Sequence, residues 1–241
     1  MLSFDGHDLE SLFKCGNPVL TWHNSVPDYI EVPGRDGAAV RGSRFGLSTV
    51  SFAIAAIGTA AARRAALSTL GSWLDVDAPA RLVLPDTPDR YYMAMPSGPV
   101  QMTRGYGAEM AALAFDIVEP AAYGATRTAT VPSGGSVTIT VNGTYPTAPK
   151  IYAASAVRDS SALVWGIRMD SGDFLHLDTG TASARRVDID CAARTSTITA
   201  SSTAKLLTLD SDWLVMKPGS HVLQMDKGTG AATVTWVERW L

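Results

Sequence analysis

The segment Leu47 to Ile57 reads LSTVSFAIAAI, with Val50, Phe52 and Ile54 on one face and Thr49, Ser51 and Ala53 on the other. A period of two is the mark of a strand with one face buried. Its second half is apolar on both faces. The period then changes. After Gly58 and Thr59, the latter suited to an N-cap, Leu67, Leu70 and Leu74 recur at spacings of three and four with Ala66 and Trp73 beside them. This predicts one helix, over about residues 59–75, lying on a sheet. Burial of Trp73 is expected to contribute roughly 4–6 kcal/mol before entropy is subtracted, which makes Trp73→Ala one of the most damaging changes in this half. Gly71 weakens the helix and is read as a point of close packing.

Short strands surround the helix. Leu2 to Phe4 ends at Asp5-Gly6, and Tyr29 to Val32 ends at the doubled turn signal Pro33-Gly34-Arg35-Asp36-Gly37. Arg81 to Leu84 and Arg90 to Met95 read as a hairpin around Pro85 to Asp89, and Val100 to Arg104 and Ala108 to Val118 as a second pair around Gly105-Tyr106-Gly107. Glu119-Pro120 closes the first half, and Tyr123-Gly124 begins a connection. Beyond it no helical period is found. Strands are predicted at Ser136 to Val141, Pro149 to Ala154, Leu163 to Met169, Phe174 to Leu177, Arg186 to Asp190, Ser196 to Thr199, His221 to Met225 and Ala232 to Trp240, with Asp226 to Gly230 closing a final hairpin. In the last strand Val234, Trp236 and Trp240 share a face. The bend NGTYPTAPKI, from Asn142 to Ile151, holds Pro146 and Pro149 and is read as the place where the chain leaves one sheet and enters the next. The fold class is therefore mainly β: a β-barrel or sandwich domain with one helix over residues 1–120, then a β-sandwich over 121–241.

Composition narrows the function classes. Hydrophobic residues make up 46% of 241, enough for a sizeable core in each half. A net charge of −3 supplies no basic field for phosphates, so no nucleic acid is expected as a partner. No window reaches the roughly 18 apolar residues of a membrane span, and the N-terminus has no basic-then-apolar leader, so membrane insertion is not expected and the chain is placed in the cytoplasm until it joins an assembly. Cys15 and Cys191 stand far apart without metal-ligand neighbours and are read as reduced thiols. His7, His23, His176 and His221 are scattered singly, and His176 reads as a strand-face residue. Asp188 and Asp190 in VDID share a strand face and could form a carboxylate pair for glycoside hydrolysis, although solvent-facing or turn-capping carboxylates opposite Val187 and Ile189 are the favoured reading. Neither GxSxG, a P-loop nor GxGxxG is present. No catalytic, metal or cofactor residue is assigned, and the chain is not expected to be an enzyme.

A series of segments in a fixed order carries a resemblance: FDGHDLESLF from Phe4, VPGRDG from Val32, LGSWL from Leu70, RLVLPDTPDRYYMA from Arg81, FDIVEPAAYG from Phe115, then NGTYPTAPKI, VDID from Val187 and KPGSHVL from Lys217. In this order the chain resembles the distal tail proteins of siphophages, a phage tail component family. The resemblance is thin over residues 153–181 and 191–210. It implies an N-terminal belt domain that assembles into a ring, commonly a hexamer, and a C-terminal galectin-like sandwich outside it. The implied role is that of a structural virion protein, a baseplate hub at the tail tip that joins the tail tube protein to tail-tip or receptor-binding proteins after assembly in the host bacterial cytoplasm. Exposed strand edges and the loop Pro33, Gly34, Arg35, Asp36 and Gly37 are candidate ring-interface material. Some members carry an inserted carbohydrate-binding module, for which this chain has no room. The alternative function is a carbohydrate-binding module that contacts host surface glycans, with Trp165, Trp213 and Trp236 as the platform. The alternation of Val234 with Trp236 favours core over platform. The run Trp236-Val237-Glu238-Arg239 lacks the histidine and asparagine partners of a galectin site at matching positions.

Overall fold

The computed structural model describes residues 1–21, 25–34, 36–105, 107–180, 183–198 and 207–241. By internal contacts the chain divides into Met1–Ala122 and Tyr123–Leu241.

The first unit contains, in chain order, β1 (Ser3–Phe4), β2 (His7–Asp8), β3 (Lys14–Cys15), β4 (Val19–Thr21), β5 (Ser25–Glu31), β6 (Ala38–Phe45), β7 (Ser48–Ile57), α1 (Ala60–Leu74), β8 (Ala80–Val83), β9 (Tyr92–Pro96), β10 (Thr103–Arg104) and β11 (Ala108–Ile117). Nine strands form one sheet in the order β2-β1-β8-β9-β11-β7-β3, with β10 beside β11 and β4 beside β7. Its spine is the ten-residue antiparallel ladder of β7 and β11, from Ser48↔Ile117 to Ile57↔Ala108. The alternation in β7 does what the sequence requires: Val50, Phe52, Ile54 and Ala56 are buried, opposite Phe115, Leu113, Ala111 and Glu109. Phe115 anchors the core, 4.8 Å from the Phe4 ring and 5.8 Å from that of Phe52.

Helix α1 begins where Thr59 Oγ1 accepts from the Ala62 N–H at 3.2 Å, satisfying one of the free donors of the first turn. Its apolar stripe packs on the sheet through buried Leu70 and half-buried Ala66, Leu67, Trp73 and Leu74. Arg63 adds a polar tether, with Nε 3.6 Å from Oε1 of buried Glu109. Two expectations for this helix need correction. Trp73 is half-buried rather than sealed, because the helix ends at the sheet margin and the ring is covered by the His7 imidazole, stacked at 4.7 Å and 6°. Its truncation therefore falls below the cost of a core residue. Gly71 is exposed, and a Cβ built there meets nothing within 4 Å, so no close packing explains it. Gly71→Ala is expected to raise stability by about 0.5–1 kcal/mol through helix propensity alone, as a shift in the urea midpoint.

The second unit is all β among the described residues: β12 (Ala122–Val131), β13 (Ser136–Val141), β14 (Lys150–Ala156), β15 (Trp165–Met169), β16 (Phe174–Leu177), β17 (Arg185–Asp190), β18 (Thr195–Ile198), β19 (Gly219–Lys227) and β20 (Ala232–Trp240). They form a five-stranded sheet, β12-β20-β14-β17-β18, and a four-stranded sheet, β13-β19-β15-β16. Their inner faces share one core, in which Ile151, Val187, Ile189 and Val234 from one sheet meet Val141, Trp165, Ile167 and Leu223 from the other. This is a β-sandwich.

The bend at 142–151 carries the chain from β13 in one sheet to β14 in the other, as the two prolines suggested. Gly143 makes it possible: its φ is +117°, and a Cβ there would lie 2.1 Å from the Arg239 carbonyl oxygen. Two other expectations fail. The stretch after Tyr123 is not a connection but the ten-residue strand β12, paired into the sheet next to β20. The loop Asp226 to Gly230 does not close a hairpin, because β19 and β20 lie in different sheets and the loop crosses between them. The strand predicted through Thr199 is described only to Ile198, and Thr199 lies outside the described residues. No helix among the described residues is long and apolar enough to cross a membrane.

Candidate assembly surface

In the first unit β5 and β6 form a separate two-stranded hairpin that hydrogen-bonds to no other strand among the described residues. Its register runs from Ser25↔Phe45 to Glu31↔Ala38, with Asp28 opposite Gly42 but Tyr29 opposite Val40, so Arg41 is an extra, bulged residue. The closing turn uses Gly34 and Gly37 at φ of +81° and +84°. The arm buries no residue, and its apolar side chains face outward: Tyr29 is 61% exposed and Val40, directly across, 65%. Ile30, Val32 and Phe45 are exposed as well. A lone two-stranded hairpin is marginal in water, and open strand edges beside exposed apolar side chains are binding material. Of the five candidate tip residues, Pro33, Gly34, Asp36 and Gly37 are exposed at the end of this arm, and Arg35 lies outside the described residues.

The same unit leaves a second apolar surface open. On the outer face of the β7–β11 ladder Ala53 lies across from Ala112, both exposed, and Ala55 across from Met110. Ile57 and Val19 extend this face at 60% and 64% exposure. The centre of this face, at Ala53 and Ala112, is short-chained, and the longer Met110 and Lys14 flank it.

The residues considered for chemistry are occupied structurally. Asp190 Oδ2 receives the Lys150 ammonium at 2.8 Å, and Oδ1 accepts from the Ala192 and Ala193 N–H groups at 3.0 and 2.9 Å. The Lys150 hydrogen bond, with the Ala193 N–H next, holds that carboxyl below the usual range. Asp188 accepts from Arg186 Nε at 3.0 Å. Asp190 caps a turn, as in the favoured reading, and both carboxylates are in addition ion-paired. His176 is buried on β16 with Nε2 2.7 Å from Asp226 Oδ2, and His221 donates from Nε2 to the Lys217 carbonyl at 2.7 Å. His7 stacks on Trp73, and His23 lies outside the described residues. No group of three metal-ligating side chains is found among the described residues.

Two of the three candidate platform tryptophans lie in the core. Trp165 is fully buried and Trp236 is 5% exposed, both within the sandwich core, and Trp213 is half-buried against it. A sugar stacks on an open ring face, and Trp165 and Trp236 present none. Glu238, from the same terminal run, is a buried anchor instead: its Oε1 accepts from Arg127 Nε at 2.9 Å and from Asn142 Nδ2 at 2.8 Å, tying β12 and the 142–151 bend to β20.

Both cysteines are free thiols. Burial pushes the Cys191 thiol up to about 12, and burial with the nearby Glu10 and Asp8 charges pushes Cys15 up to about 11. The thiolate is the reactive form, so neither cysteine is expected to react with a chromogenic disulfide reagent at pH 8 in the folded chain. Two thiols should be counted after denaturation; fewer would show that they are paired.

Residues 142–240 match the family model described as siphovirus-type tail component, C-terminal domain. No curated protein matches the sequence. Among solved structures, the crystal structure of SPP1 Dit (gp 19.1), described as a paradigm of the hub adsorption apparatus in phages infecting Gram-positive bacteria, is similar with a TM-score of 0.81 at 20% identity, over 100% of this chain and 98% of that one. A chain of the phage p2 baseplate, in its activated conformation with Sr, gives a TM-score of 0.48 at 11% identity, over 93% of this chain and 90% of that one. Residues 142–240 thus carry the C-terminal domain of a siphovirus-type tail component, and the chain has the fold of the SPP1 Dit structure over its whole length.

Proposed function

We propose that this chain is a structural virion protein that closes into a ring, of six copies, at the distal end of a siphophage tail. There it joins the tail tube protein to the tail-tip or receptor-binding proteins. The observation that carries the reading is the exposed β5–β6 arm in a unit that also leaves the alanine-rich face of β7 and β11 uncovered. The two surfaces differ, so an arm laid on the neighbour's sheet makes a head-to-tail contact, and contacts of that kind close into rings. A stable contact takes about 800 Å² from each partner. Assembly takes place in the host cytoplasm, and the protein's working location is the tail tip. It performs no catalytic step. The fold of SPP1 Dit, whose description places it in a hub adsorption apparatus, supports this assignment.

Negative-stain microscopy of the pure chain, alone and mixed with its tail tube protein, tests the role. Rings that cap one end of the tubes are the expected result. Bare tubes beside free, unassembled chains would overturn it.

A further inference from the structure

Cross-strand pairing gives the two faces of the β5–β6 arm different chemistry. Pro27, Tyr29 and Glu31 of β5 share one face with Val40 and Phe45 of β6, whereas Asp28 and Arg44 lie on the other. The first face is the more apolar, and its one charged residue, Glu31, sits at the tip end. The outer face of the β7–β11 ladder is ruled in rows of the same pitch, about 7 Å for every two residues. Thr49 and Asp116 form a row near one end, Ala53 and Ala112 the central one, and Ala55 and Met110 the next, which Lys14 extends on β3. The alanine row is a floor of methyl groups, with Lys14 and Met110 standing beside it. Glu31 and Lys14 are both exposed, and neither makes an ion pair among the described residues.

We infer that the arm lies on the sheet of a second copy in one direction and one register, with Glu31 against Lys14 and Tyr29 over the Ala53–Ala112 floor; this rests on the ring proposed above. The spacings agree. Tyr29 follows Glu31 by one row along the arm, and the alanine row follows the Lys14 row by one along the sheet, so the ion pair and the seating of the ring are satisfied together. An arm turned end for end meets the opposite conditions. Glu31 then reaches the row of Asp116, where two carboxylates oppose each other, and Tyr29 moves onto Ser51 and Ala114. Like charges set together across an interface are strongly disfavoured, and charge pairs of this kind fix register more than they add affinity. Each copy therefore points its arm the same way around, as closure by rotation requires.

Two variants of the full chain test the contact. Glu31→Lys sets two ammonium groups against each other at every contact and Lys14→Glu two carboxylates, so each alone is expected to raise the concentration at which the assembly dissociates about tenfold or more, read by light scattering. Their thermal midpoints should match the wild type, since both side chains are exposed. Mixed in equal amounts, the two variants restore an opposite-charge pair at every contact of an alternating ring, and the wild-type mass should return. With one variant isotope-labelled, native mass spectrometry should show equal numbers of each in the ring. A monomeric wild type would remove the ring and this contact with it. Wild-type rings beside a variant that assembles equally well, or a mixture that assembles no better than its parts, would overturn the pair and its register while the ring stands. Variants that keep the ring but lose the tail tube protein would overturn it too, by giving the arm to that partner.

Discussion

Tyr29→Asp combined with Val40→Asp is expected to turn the assembled protein into a monomer while leaving its far-ultraviolet circular dichroism and thermal midpoint nearly unchanged. The two residues face each other across the β5–β6 arm and are exposed by 61% and 65%, so their replacement removes no contact from the core of the unit. In an arm laid against a neighbour the same carboxylates lose water without gaining a partner. Desolvated, unpaired charge at an interface costs about 2–5 kcal/mol, which raises the dissociation constant of each contact by roughly 30- to several-thousand-fold. A ring needs every contact to hold, so the loss is seen as a collapse in mass. Size-exclusion chromatography with light scattering reads it directly, and a variant that keeps its wild-type mass would rule the arm out as the contact.

Trp165→Ala is the substitution expected to do most harm to folding. Trp165 is fully buried at the start of β15, paired across the ladder with Leu177, and packs into the core shared by both sheets. Truncation removes the largest fully buried side chain among the described residues and leaves a cavity between the two sheets. The cost is about 3–5 kcal/mol, against total stabilities of about 5–15 kcal/mol for domains of this size. Urea unfolding followed by circular dichroism should show the loss as a lower midpoint with the same slope. Trp213, half-buried at the core's edge, should lose well under half as much on the same change.

Elements with two chemically different faces were legible from the residues alone. β7 shows Val50, Phe52 and Ile54 against Thr49, Ser51 and Ala53, and α1 shows its leucine stripe and Thr59 cap, so both stand where the pattern put them. β12 was not legible because it is a sheet-edge strand of alanines and threonines, buried chiefly at its two ends, and such a sequence reads as loop. β6 was missed for a related reason: it has no core face, and the bulge at Arg41 shifts what alternation it has. The misreading of Asp226 to Gly230 has another origin. The same lysine-glycine-threonine-glycine turn serves a hairpin and a crossing between sheets, and only the partners of β20, which are β12 and β14, separate the two. For the assembly surface, the sequence marked Pro33 to Gly37 as a turn but could not show that the strands leading to it stand free of the sheet. The stripe on α1 told which way Trp73 faces, not how deep it lies.

Native mass spectrometry of the intact, unmodified chain at low micromolar concentration tests the central claim most directly. A closed ring predicts one dominant species at about six times the 25.5 kDa protomer mass, without a ladder of odd-numbered assemblies. A spectrum of monomer alone, or a continuous ladder that lengthens with concentration, would contradict it.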